Sequence, residues 1–135
     1  MNNILVDTSG WIALVNRSDS LHAAATHVYN ERFNGGWNFV THAGVLLEVG
    51  NGLSTARLRH LAVQLKARLA ASARVKIEPL GDDLYEAGWE LYESRADKDW
   101  GIVDCISFVL MQRLGLNEAL TADHHFTQAG FIKLL

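Results

Sequence analysis

The sequence predicts an α/β domain, a mostly parallel sheet covered by helices on both faces. Two observations predict it. Short apolar runs of strand length alternate with longer segments whose apolar residues recur at helical intervals. No repeat, low-complexity tract or linker breaks the alternation, so residues 1–135 are expected to form one domain.

The elements follow in order. "NNILVDT" reads as a buried strand that runs from aliphatic into small polar residues. "SGWIALVNR" follows as a helix, with Ser9 as its expected N-cap. "SLHAAATHVYNERF" is helical, and the following "NGG" stops it. "WNFVTH" is a second strand and "AGVLLEVGNGL" a short helix with Glu48 near its middle. The long "STARLRHLAVQLKARLAASARV" carries Leu58, Leu61, Leu65 and Leu69 on one stripe, with Ser54 or Thr55 as the expected cap. "VKIEPL" is a third strand. "DDLYEAGWELYESR" opens with two acids at the positive end of a helix dipole. "IVDCISFVLMQRLG" is an apolar helix ending at Gly115. "EALTAD" is a strand, "HHFTQAG" a helical turn and "FIKLL" a last strand.

Composition narrows the class. A single cysteine, Cys105, excludes an intrachain disulfide framework and a cysteine zinc cluster. No apolar run approaches the ~18 residues of a membrane helix, and no secretory signal is visible, so a cytoplasmic protein is expected. The net charge of −3 is unevenly spread. Residues 49–77 hold six of the twelve Lys and Arg and no acid, whereas residues 78–104 hold nine acids and two bases. Arg57, Arg59, Lys66 and Arg68 lie in the basic segment, off the leucine stripe. They are candidates for phosphate contacts, or equally a solvated helix face.

Four of the fifteen acids sit in apolar company: Asp7 in "ILVDTS", Glu48 in "VLLEVG", Asp104 in "GIVDCISF" and Asp123 in "ALTADHHF". Any one alone reads most simply as a helix cap or a buried ion-pair member. Asp7 and Asp123 each follow a strand-like run, and parallel strands bring such ends to one edge of a sheet, where ligands bind. Converging carboxylates repel, and a hard divalent cation with oxygen ligands, Mg²⁺ or Mn²⁺, removes that repulsion. Such a pocket suits phosphodiester hydrolysis. A phosphatase of the haloacid-dehalogenase kind requires an acid where Ser9 stands. A phosphoacceptor receiver requires adjacent early acids, which are missing. No phosphate-binding glycine loop is present.

With these residues the sequence resembles the PIN-domain ribonucleases, and VapC-like toxins in particular, over nearly its whole length. The carriers are "ILVDTSGWIAL", "LLEVGNGL", "DKDWGIVDCISFVLM" and "ALTADHHFTQAGF" in that order. The resemblance implies a three-layer α/β/α fold and a catalytic, metal-binding set of Asp7, Glu48, Asp104 and Asp123. It implies an endoribonuclease dependent on Mg²⁺ or Mn²⁺ that leaves a 5′-phosphate and a 3′-hydroxyl. Its members are typically cytoplasmic homodimers held inactive by a small antitoxin protein. A non-catalytic PIN scaffold that binds RNA or a protein partner is the alternative. Thr8 or Ser9 would supply the hydroxyl residue found beside the first acid, and Thr121 and Asp99 are candidates to stand behind the acids. Gly101 departs from the pattern, because related sequences carry a hydroxyl residue there. His124 and His125 follow the fourth acid, where an imidazole could move protons, although metal-assisted hydrolysis requires none. The RNA target, the antitoxin and the number of metal ions remain open at this level.

Overall fold

The computed structural model describes residues 2–135; Met1 lies outside the described residues. Five strands form one parallel sheet: β1 (Asn3–Val6), β2 (Asn38–His42), β3 (Val75–Glu78), β4 (Glu118–Leu120) and β5 (Ile132–Lys133). Between them run α1 (Thr8–Val15), α2 (His22–Asn34), α3 (Ala43–Gly52), α4 (Arg59–Ala71), α5 (Asp82–Ser94), α6 (Ile102–Leu114) and α7 (His124–Gln128). The strand order is β3-β2-β1-β4-β5. The sheet is thus parallel throughout, and helices cover both faces.

Alternation along β1 divides the core. Ile4 and Val6 point to one face, where they join Phe39, Trp11, Val45, Val49, Leu65 and Leu69 from α1, α3, α4 and β2. Leu5 points to the other, with Val40, Leu84, Phe108, Met111 and Phe126 from β2, α5, α6 and α7. All three aliphatic residues of β1 are fully buried, so this is the central strand. The leucine stripe of α4 buries Leu65 and Leu69 as its spacing predicts.

The chain first winds outward from β1 through β2 to β3, then crosses to the far side of β1 to form β4 and β5. The winding direction reverses between β1 and β4, and their carboxyl ends frame the crevice where open α/β sheets bind ligands. Asp7 immediately follows β1, Thr121 immediately follows β4, and Asp123 stands two residues further on.

Several element boundaries differ from expectation. Helix α1 starts two residues early, with Asp7 in the N-cap position and Ser9 inside the helix. Helix α4 starts only at Arg59, because Thr55 to Leu58 make a turn in which the Thr55 carbonyl accepts from the Leu58 and Arg59 N–H groups. Ser54 and Thr55 therefore do not cap it. The last strand is confined to Ile132–Lys133, as β5 pairs with β4 only at Glu118 and Ala119. Gly115 ends α6 in the left-handed region at φ 66°, where a Cβ is disfavoured.

Candidate active site

Asp7 reaches the crevice because the aliphatic end of β1 is fully buried and the strand stops there. It is 4 % exposed. Thr121 donates its hydroxyl to Asp7 Oδ2 at 3.0 Å. That oxygen of Thr121 also accepts from the Asp123 N–H at 3.1 Å. With its one proton committed to Asp7, Thr121 leaves Ser9 as the donor in the 3.2 Å contact between their hydroxyls. Ser9 Oγ in turn accepts from the Ala122 N–H at 2.9 Å. These bonds tie the start of α1 to the end of β4. Gly10 permits the approach, since a Cβ there would lie 2.3 Å from the Leu120 carbonyl oxygen.

Asp104 stands at the third position of α6 and accepts from the Gly101 N–H at 3.2 Å, half of a capping box. Asp123 caps α7 by accepting from the His125 N–H at 2.9 Å. Asp7, Asp104 and Asp123 each place a carboxylate oxygen within 4.8 Å of the others. Glu48 stands at the rim. It is exposed on α3, and Thr8 donates a 2.7 Å hydrogen bond to its Oε1. The four expected acids therefore form an inner trio with Glu48 tethered beside it. Asp99 is exposed on the loop before α6 and takes no part in the hydrogen bonds among the described residues.

Burial pushes the Asp7 carboxyl up to about 7, with the Asp104 and Glu48 charges adding to the rise and the Thr8 amide and Thr121 hydroxyl opposing it. Burial also raises Asp104, reinforced by Asp123 and Glu48. Asp7 Oδ1 is buried with no hydrogen-bond partner among the described residues. A cation satisfies an orphaned oxygen among repelling carboxylates, and an all-carboxylate donor set suits Mg²⁺ or Mn²⁺. The residues present fit such an ion.

The PIN domain family pattern matches residues 4–132, a span that contains all four acids and all of the sheet but its first and last residues. The chain belongs to the PIN domain family. Its sequence is 31% identical over 131 residues, 97% of each chain, to the 23S rRNA-specific endonuclease VapC20 of Mycobacterium tuberculosis. The crystal structure of that protein, described as a Sarcin-Ricin loop cleaving toxin, superposes with a TM-score of 0.86 at 30% identity, covering 96% of this chain and 97% of that one. VapBC2 of Rickettsia felis, bound to a promoter DNA fragment, shares the fold at TM-score 0.71 and 13% identity, covering 97% and 96%. FitAcB of Neisseria gonorrhoeae does so at 0.63 and 15%, covering 96% and 94%.

Two histidines of this PIN domain stand where sequence reasoning gave them little. His42 ends β2, fully buried, and caps α3: its Nδ1 accepts from the Gly44 and Val45 N–H groups at 3.1 and 3.4 Å. The proton therefore sits on Nε2, which donates to Ser107 Oγ at 2.8 Å. The ring thus joins the helix of Glu48 to the helix of Asp104, and burial pushes its pKa down to about 4. The second, His125, lies against the acids, its Nδ1 3.1 Å from Asp123 Oδ1 and 3.5 Å from Asp104 Oδ2. A sequence signal for it exists. Side chains in the first turn of a helix lean back toward its N-terminus, so a residue two past a capping acid leans toward that acid.

Proposed function

We propose that this protein is a divalent-metal-dependent endoribonuclease, the toxin of a toxin–antitoxin pair. The observation that carries the reading is the trio of Asp7, Asp104 and Asp123 at the reversal point of the sheet, with a buried Asp7 oxygen left without a partner. The likeness to VapC20 over 97% of the chain supports the same activity, and the VapBC neighbour supports an antitoxin partner. Residues 1–135 act as one domain, cytoplasmic and homodimeric.

Asp7, Asp104 and Asp123 would hold the Mg²⁺ or Mn²⁺ ion, with Glu48 completing the set from the rim. When bound, the ion supplies Lewis acidity to the phosphate and makes water a nucleophile near neutral pH. The chain does the positioning. Thr121 fixes one Asp7 oxygen, and the other is buried without a hydrogen-bond partner among the described residues. Thr8 restrains Glu48 against its own helical freedom. The Gly101 amide and the cap of α7 hold Asp104 and Asp123 in fixed orientations. Arg57, Arg59, Lys66 and Arg68, all exposed on and just before α4, would bind RNA phosphates away from the acidic pocket.

Ribosomal RNA is the substrate to try first, because the similar VapC20 is specific for 23S rRNA. The test is cleavage of labelled rRNA fragments by purified protein with Mg²⁺ or Mn²⁺, with EDTA, and beside the Asp7→Asn variant. Cuts that require the ion and vanish in the variant support the reading. Folded protein that binds RNA but cuts none, with either ion, would make this a binding scaffold instead.

A further inference from the structure

Three large aromatic side chains stay at the surface of α5. Tyr85, Trp89 and Tyr92 are 44 %, 41 % and 45 % exposed, at a spacing that sets them on one helix face. Tyr85 meets Trp89 with ring centroids 6.3 Å apart, and Trp89 meets Tyr92 at 5.3 Å, both nearly edge to face. A contiguous exposed patch of this kind marks a binding surface. Trp89 and Tyr92 also line a cleft of about 750 Å³, whose remaining aromatic wall is Trp100. That wall is rigid. The Trp100 indole N–H donates to Gln128 Oε1 at 3.0 Å, its ring packs edge to face on Phe108, and the Arg95 guanidinium lies 4.9 Å from its centroid. Arg95 is fixed in turn by two bonds to Asp97, at 3.0 and 3.1 Å.

Charge and position say what fits. Glu93 and Asp99 line the cleft against Arg95 and Lys98, so its wall carries no net charge. An uncharged flat ring suits such a space, whereas a phosphate gains little there. Gly101 also lines the cleft, and its N–H is the group that holds Asp104 at 3.2 Å. The cleft therefore adjoins the acid trio. We propose that it is a base-stacking subsite, which receives a nucleobase splayed from the RNA strand next to the phosphate at the trio, with Trp89 and Tyr92 supplying the ring faces. The inference rests on the nuclease reading of the site. Single-stranded loops present splayed bases, and aromatic rings and guanidinium planes are the groups that hold them. Every base has a π-face, so the subsite anchors the strand and leaves sequence choice to other contacts. Stacking needs no basic surface, which is why a base, and not a phosphate, is what the acid-rich α5 can receive.

The experiment measures binding by fluorescence anisotropy in the Asp7→Asn background with Mg²⁺ present. The probes are the labelled rRNA fragments and, as a polyanion without bases, labelled inorganic polyphosphate. Trp89→Ala and Tyr92→Ala should each weaken RNA binding by about tenfold, at an unchanged log–log salt slope, and leave polyphosphate binding as it was. Trp89→Phe, which keeps a ring face, should recover most of the loss. Both side chains are exposed, so the core stays intact, and circular dichroism checks the fold of each variant. RNA affinity unmoved in both alanine variants overturns the proposal and leaves the aromatic face to a protein partner. A parallel loss of polyphosphate binding, or no recovery in Trp89→Phe, overturns it as well. Those outcomes leave the nuclease reading standing, because metal-dependent cutting is read separately on the unaltered protein. RNA neither bound nor cut by the unaltered protein defeats both.

Discussion

A carboxyl raised to about 7 is half protonated near neutrality, so metal-free Asp7 works against folding at higher pH. The folded pKa lies above the unfolded value of 3.8, so this group's favourable contribution is complete below about pH 4 and is lost as pH rises through about 7. A shift of that size is worth at most about 4 kcal/mol. Asp7→Asn should therefore unfold at higher urea than the parent at pH 8 in EDTA, while losing cleavage. A variant less stable than the parent under those conditions would contradict the assigned burial. His42 has the opposite sign. Its folded value of about 4 lies below the unfolded 6.5, so its contribution is complete above about pH 6.5 and is lost as pH falls through 4. The two windows overlap and partly cancel in the parent. In the Asp7→Asn background the His42 effect is uncovered, and stability should fall by up to about 3 kcal/mol between pH 6.5 and 4. Asp7 was legible because an aliphatic run delivers it to a strand end. The roles of His42 and His125 were not, because the first depends on a hydroxyl 65 residues away and the second on Asp104.

Helix α6 carries one of the three clustered acids on an incomplete cap. Gly101 occupies the N-cap with extended backbone at φ −71° and ψ 164°, and its amide bonds to Asp104. It has no side chain to return a bond to the helix. A Cβ there would meet only Asp104 Oδ2, at 3.7 Å, so a larger residue fits. Gly101→Ser should stabilise the protein by roughly a few tenths of a kcal/mol, measured by denaturant unfolding. Unchanged or lower stability would show that the hydroxyl does not reach the helix. Element types read well from sequence, since apolar spacing is local. Helix starts read worse. Ser9 offers its oxygen to the Ala122 amide of the β4 loop instead of to its own helix. Thr55 contributes its carbonyl to a turn. In both cases another backbone group competed for the bond a cap would have made.

At the scale of the molecule, charge is separated between segments as well as residues. The basic stretch forms exposed positions on and just before α4, on the sheet face with α1 and α3, whereas the acid-rich α5 lies on the other face with α6 and α7. Reversing Arg57, Arg59, Lys66 and Arg68 to Glu in the Asp7→Asn background should weaken RNA binding and make its salt dependence shallower by up to about 3 in the log–log slope, read by fluorescence anisotropy. An unchanged slope would assign those residues to solubility. The sequence by itself determined an alternating α/β chain, its approximate elements and the four acids, because strand and helix patterns and the cost of charge in apolar company act over a few residues. Tertiary structure decided which acids meet. The order β3-β2-β1-β4-β5 sets Asp7 beside Asp123 across 116 residues of chain, and α6 packing brings in Asp104. It also left Glu48 at the rim on Thr8 and turned His125 inward. Those outcomes depend on distances between elements far apart in sequence, which no local pattern encodes.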